Sequence, residues 1–195
     1  MKRVVYDLET FPNCFTAAFE DVDSDETWMF EISDFLDQSN ELLGFLDYLA
    51  KNNIEMVGFN NVGFDYPILH LFIALGTTAT AKQLYDKCQA IIGDQDENKF
   101  LHLIYPGDRR IKQIDLYKIH HFDNRARATS LKSLEFNMGM DNIQDLPFPV
   151  GTILNEEQIE VLKNHANFCA NFVHINLTHR DLLAVDQNIT LIRFF

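Results

Sequence analysis

The sequence predicts an α/β domain on a mixed five-stranded sheet, an antiparallel meander continued by parallel strands and flanked by helices. Three observations predict it: three β-rich runs in close succession near the N-terminus, a strand–helix–strand unit after them, and helix-periodic segments beyond. The 195 residues allow one α/β domain with a full core and require no second, so residues 1–195 are read as a single domain.

Arg3 to Asp7, Asn13 to Phe19 and Thr27 to Ile32 are the three runs, the last two separated by the acidic turn Asp21 to Asp25. Asn40 can cap a helix whose apolar residues Leu42, Leu43, Leu46, Leu49 and Ala50 recur with helical spacing, and Glu55 to Phe59 returns as a buried strand. That unit is the parallel crossover. Asp65 to Leu75 reads as a helix with Pro67 in its first turn, where a missing N–H does no harm, and Thr80 to Ile92 as a second. Gly93 to Arg110 is polar, contains Pro106-Gly107 and reads as a loop; Ile111 to Tyr117 is the fifth strand. Ser130 to Met138, Asn155 to Asn164 and Ala170 to Val185 look helical, with Pro147 and Pro149 between the first two.

Composition excludes several classes. With 47% hydrophobic and 23% charged residues the chain is neither disordered nor fibrous. Its longest apolar stretches, such as Ile68 to Leu75, fall short of the about 20 residues of a membrane span, and Met1-Lys2-Arg3 leads into no signal-peptide core. A cytoplasmic protein is expected. Cys14, Cys88 and Cys169 are odd in number and scattered, which argues against a disulfide framework and a zinc knuckle. The net charge of -13 opposes nucleic-acid binding by counterion release, yet carboxylates that hold divalent cations make a domain acidic while presenting positive charge to phosphate. The basic residues cluster as Arg109, Arg110, Lys112 and as Arg125, Arg127, Lys132.

Asp7 and Glu9 sit two apart at the expected end of the first strand, so both carboxylates point one way. Asp65 follows a second apolar strand, in Gly58-Phe59-Asn60-Asn61-Val62-Gly63-Phe64-Asp65, and opens a helix. Strand ends in an α/β sheet line the ligand crevice, where converging hard oxygen donors suit Mg²⁺ or Mn²⁺.

Asp7-Leu8-Glu9-Thr10 resembles the first motif of the DEDD superfamily of 3′–5′ exonucleases, and Asn60 with Phe64-Asp65 resembles its second. Ile114-Asp115-Leu116 and Ser130-Leu131-Lys132-Ser133-Leu134 resemble segments between the second and third motifs of phage polymerase proofreading domains and stand-alone phage exonucleases. The resemblance covers nearly the whole chain and implies a ribonuclease H-like fold. It implies two-metal phosphodiester hydrolysis at nucleic-acid 3′ ends, single-stranded DNA above all, with two Mg²⁺ or Mn²⁺ ions held by Asp7, Glu9 and Asp65. Asp7 would bridge the ions. Glu9 would serve the nucleophile side and Asp65 the leaving-group side. Thr10, Phe11, Asn60 and Phe64 would lie at the terminal nucleotide, where an aromatic ring can stack on any base. A polymerase domain or replication protein is an implied partner.

The chain departs from the family at the third motif, a helix bearing Tyr or His followed four or five residues later by Asp. Aligning on Asn171 and Val173 puts Phe168 and Phe172 at those positions; aligning by distance from Glu157-Gln158 puts His165 and Cys169 there. Neither supplies a carboxylate. Asp181 lies nine residues beyond Phe172, roughly 13 Å along a helix. His165 and His174 are candidate substitutes as base or ligand, His165 foremost. Alternatives to an enzyme are a catalytically inactive ribonuclease H-like module that binds nucleic acid or a protein partner, and a partner-binding decoy whose acidic surface imitates nucleic acid.

Overall fold

The computed structural model describes residues 2–24, 26–94, 98, 100–120 and 145–186. The meander consists of β1 (Arg3–Phe11), β2 (Cys14–Asp21) and β3 (Thr27–Ser33). The register Phe11↔Cys14 leaves only Pro12 and Asn13 to make the first turn. At the second turn Asp21 Oδ1 accepts the backbone N–H of Asp23 and of Ser24, both at 2.9 Å, a side chain standing in for turn backbone.

Helix α1 (Ser39–Lys51) crosses to β4 (Glu55–Gly58), and α2 (Asp65–Leu75) and α3 (Ala81–Gly93) follow. Thr80 caps α3 in a reciprocal box with Gln83, satisfying amide donors that the first turn leaves free. The fifth strand, β5 (Gln113–Asp115), is followed by the short helix α4 (Leu116–His120), and α5 (Glu156–Asp186) completes the described elements.

The sheet order is β3-β2-β1-β4-β5. β1 runs antiparallel to β2 and parallel to β4, and β4 runs parallel to β5. This is the ribonuclease H-like arrangement expected from sequence, with β1 at the centre. Alternation along β1 sorts the two layers. Val4, Tyr6 and Leu8, with Phe15, Ala17 and Phe19 of β2, face α1, α2 and α3 and build the main core with Leu42, Leu46, Leu49, Ile68, Leu69, Phe72, Leu84 and Ile91. The other face belongs to α5. Val5 packs against Val173 and Leu177; Phe11 and Cys14 pack against Ile159 and Leu162; Ala18 lies under Ala166 and Ala170.

Three differences from the sequence expectation matter. β1 continues to Phe11, so Asp7 and Glu9 lie inside a strand rather than at its end, because the hairpin pairs β1 with β2 along its whole length. The expected helices Asn155 to Asn164 and Ala170 to Val185 are one helix, since no Gly or Pro lies between them to end the first. β5 keeps only three residues before the chain turns helical at Leu116. The expected helix Ser130 to Met138 and the basic residues Arg125, Arg127 and Lys132 lie outside the described residues. No helix among the described residues is long and apolar enough to cross a membrane.

Candidate active site

Parallel pairing of β1 with β4 spans only Arg3↔Glu55 to Val5↔Val57. Beyond Val5 the central strand keeps its antiparallel partner and loses its parallel one, which opens a notch beside residues 6–11. Asp65, first residue of α2, reaches into this notch and accepts a hydrogen bond from the backbone N–H of Leu8. The amide left free by the short β4 thus holds the acid in place.

Asp7 and Glu9 share the α5 face of β1, with Val5 on one side of them and Phe11 on the other. The three carboxyls crowd one another. Burial, then the neighbouring Glu9, pushes the Asp7 carboxyl well above its usual range. Burial and then Asp65 push Glu9 up to about 8. Burial and then Asp7 push Asp65 up as well. Each acid is raised by another member of the same trio, so the set predicted from two separate motifs converges in space. Such a site must take up protons or cations, and its donors are the hard oxygens that Mg²⁺ and Mn²⁺ prefer.

The loop from β4 to α2 is shaped to deliver Asp65. Asn60 takes the left-handed conformation at φ 58°, which Asn tolerates better than most residues, and its carbonyl accepts the N–H groups of Gly63 and Phe64 at 3.0 Å each. A Cβ at Gly58 would come within 2.7 Å of Asn61 Cβ, so this bend requires glycine. Asp115 at the end of β5 accepts the Asn60 N–H at 2.9 Å and the Tyr117 N–H at 3.1 Å. Asn61 donates to Gln113 Oε1, which also accepts the Tyr6 hydroxyl, both at 2.9 Å. Asp115 and Gln113 therefore act as braces on the loop.

Of the two residue pairs considered on α5, it is His165 and Cys169 that lie beside Glu9. His165 Nε2 lies 3.4 Å from Glu9 Oε1 and 3.6 Å from Cys169 Sγ. Phe172 is buried on the same helical stripe, and Phe168 is half-buried. The helix backbone includes Asp181, but its side chain lies outside the described residues.

The predicted nucleotide-contacting residues divide. Thr10 and Phe64 are half-buried; Thr10 interacts with Cys88 of α3, and Phe64 packs on the main core. Asn60 serves the loop as described. Phe11 is 1% exposed and packed under α5, where it is a core ring with no face left for a base. Arg110 pairs with Asp47, and Arg109 donates to the Ile104 carbonyl at 3.0 Å, so both have structural partners.

Sequence reasoning missed the buried pair on the same face, Glu20 of β2 with His174 of α5, a short contact from Nδ1 to Oε1. Asn171 Nδ2 stands 3.4 Å from both Glu20 oxygens. The available signal was Glu20 directly after a β-rich run, in step with Cys14 and Ala18 that face α5. The three cysteines are thiols, Cys14 and Cys88 buried and Cys169 half-buried. No protein-family model, curated protein or solved structure matches the chain.

Proposed function

We propose that the protein is a metal-dependent 3′–5′ exonuclease that hydrolyses phosphodiester bonds at nucleic-acid 3′ ends, single-stranded DNA foremost. The observation that carries this reading is the ring of three carboxyls, Asp7, Glu9 and Asp65, each raised by another, in the notch where β1 outruns β4. Two divalent ions bound there would supply an activated water and stabilise the leaving 3′-oxygen. The chain's own contributions are the positions of the acids: Asp7 and Glu9 are fixed by the strand, Asp65 by the Leu8 amide and the braced loop. His165, 3.4 Å from Glu9, is suited to orient or deprotonate a water on the α5 side. The acidic net charge of -13 is compatible with this role, because cations held by the acids would meet the phosphate first.

The test is shortening of a 5′-labelled single-stranded oligonucleotide. Mg²⁺ or Mn²⁺ supports it, and Asp7→Ala stops it. Absence of shortening with both metals overturns the proposal.

One observation favours a second reading, a non-catalytic module that binds nucleic acid or a replication partner. The α5 position that faces Glu9 carries His165 and Cys169 rather than a fourth carboxylate. Oligonucleotide binding without cleavage, insensitive to Asp7→Ala, distinguishes this module from the enzyme.

A further inference from the structure

Glu9, His165 and Cys169 offer one carboxylate oxygen, one imidazole nitrogen and one sulfur, all within 4.8 Å of one another. Two sequence-distant elements supply them. Glu9 comes from the central strand, while His165 and Cys169 stand one turn apart on α5 and so share a face.

The spacings are those of ligands around one small ion. Metal–ligand bonds of about 2.05 Å to nitrogen, 2.1 Å to oxygen and 2.3 Å to sulfur, at tetrahedral angles, separate nitrogen from oxygen by about 3.4 Å and nitrogen from sulfur by about 3.6 Å. The observed separations from His165 Nε2 are 3.4 Å to Glu9 Oε1 and 3.6 Å to Cys169 Sγ. One imidazole nitrogen thus meets both other donors at tetrahedral ligand distances.

A second observation points to the same spot. Thr16 is directly opposite Glu9 in the β1–β2 register and, like its neighbours Cys14 and Ala18, faces α5. Its hydroxyl is fully buried and has no hydrogen-bond partner among the described residues. Side chains opposite one another in an antiparallel pair stand about 5 Å apart at Cβ, so the unpaired hydroxyl lies beside the carboxylate. A buried hydroxyl left unpaired is costly unless a ligand or a metal-bound water engages it.

We propose that Glu9, His165 and Cys169 form a three-ligand site for one borderline-soft divalent ion of the zinc or cobalt class. Thiolate and imidazole select such ions over Mg²⁺. Three protein ligands leave the fourth position open, the pattern of zinc sites that bind a water or a substrate oxygen rather than closed structural ones. Thr16 is placed to hydrogen-bond a water there. The ligand set stands on its own distances; only the idea that the open position meets a phosphodiester rests on the exonuclease reading.

The test uses metal-free full-length protein titrated with Co²⁺. One equivalent is expected to produce thiolate-to-cobalt charge transfer in the near ultraviolet and the intense visible bands of a four-coordinate ion, both removed by Zn²⁺. Cys169→Ser loses the thiolate band, whereas Cys14→Ala, Cys88→Ala and Asp65→Asn keep it. X-ray absorption of the zinc-loaded wild type, which needs no variant, is expected to show a single sulfur at about 2.3 Å. No thiolate band or sulfur shell in the wild type, or a band that survives Cys169→Ser, overturns the proposal. Oligonucleotide shortening in Mg²⁺ without the band removes this site and leaves the exonuclease; the band without shortening in any metal does the reverse.

Discussion

His165 Nε2 on the last described helix lies 3.4 Å from Glu9 Oε1 on the central strand, joining residues more than 150 positions apart. Glu9 belongs both to the carboxylate trio that faces Asp65 and to the nitrogen and sulfur donors of α5. It joins the hard oxygens of the trio to the softer donors of α5.

Glu9 makes the metal-free protein pH-sensitive. Burial and Asp65 raise it from 4.5 to about 8, so the folded state retains a proton that the unfolded chain releases. Stability from this linkage is fully present below the ordinary carboxylate value and is lost as pH rises through about 8. Metal-free wild type is therefore expected to melt at falling temperature from about pH 5 to about pH 8. Glu9→Gln, which cannot ionise, makes that profile shallower and gains stability at the alkaline end, while the raised Asp7 and Asp65 keep their own share of the slope. Thermal melts across pH in chelator check it; an unchanged slope in the variant counts against the crowded-carboxyl picture.

Cys169→Asp places a carboxylate at the α5 position beside Glu9. Oxygen in place of sulfur shifts preference toward hard ions. The expected outcome is Mg²⁺-dependent oligonucleotide shortening at least about tenfold faster than wild type, about 1.4 kcal/mol of barrier, with loss of thiolate–cobalt absorption. A folded variant with wild-type rate and metal preference shows that residue 169 lies outside the metal chemistry.

Removing His174 leaves the Glu20 carboxyl buried at 5% exposure with, among the described residues, the long Asn171 contacts. An uncompensated buried charge costs about 3–5 kcal/mol. His174→Ala should lower the urea midpoint accordingly, while the double change Glu20→Met with His174→Leu recovers most of the loss by trading the pair for apolar contact. Equilibrium urea unfolding of both variants decides it.

Phe11→Ala separates packing from substrate contact. The ring is enclosed by Cys14, Leu154, Ile159 and Leu162, and truncating such a ring costs about 3–5 kcal/mol. Shortening activity per folded molecule is expected to stay within about twofold of wild type, since a loss of 0.4 kcal/mol in transition-state binding would already be about twofold. A larger drop in a folded variant would return Phe11 to the nucleotide site.

Much of the architecture was legible because local signals suffice for it. Alternation and turn chemistry mark β1 to β3, and a box of Thr80 with Gln83 marks the start of α3. Asp65 to Leu75 was read to the residue, since the acid, the following Pro67 and Gly76 bound it on both sides. The short β5 and the unbroken α5 were less legible. Where Asp115 hands over to Leu116 depends on the β4–α2 loop that its carboxylate caps, and the continuity of α5 depends on a sheet face that extends beneath its whole middle.

By itself the sequence determined the α/β class, the strand count and the trio of Asp7, Glu9 and Asp65, because spacing within a strand and position at a helix start are local properties. Tertiary structure decided which residues answer that trio from α5. Two registers were open, and the packing of α5 on the sheet, with Ala166 and Ala170 on Ala18 at its middle, sets the rotation of the helix. That rotation brings His165 and Cys169, not a carboxylate, to Glu9. A contact across more than 150 residues leaves no periodic trace in either segment, which is why it had to be read from the fold.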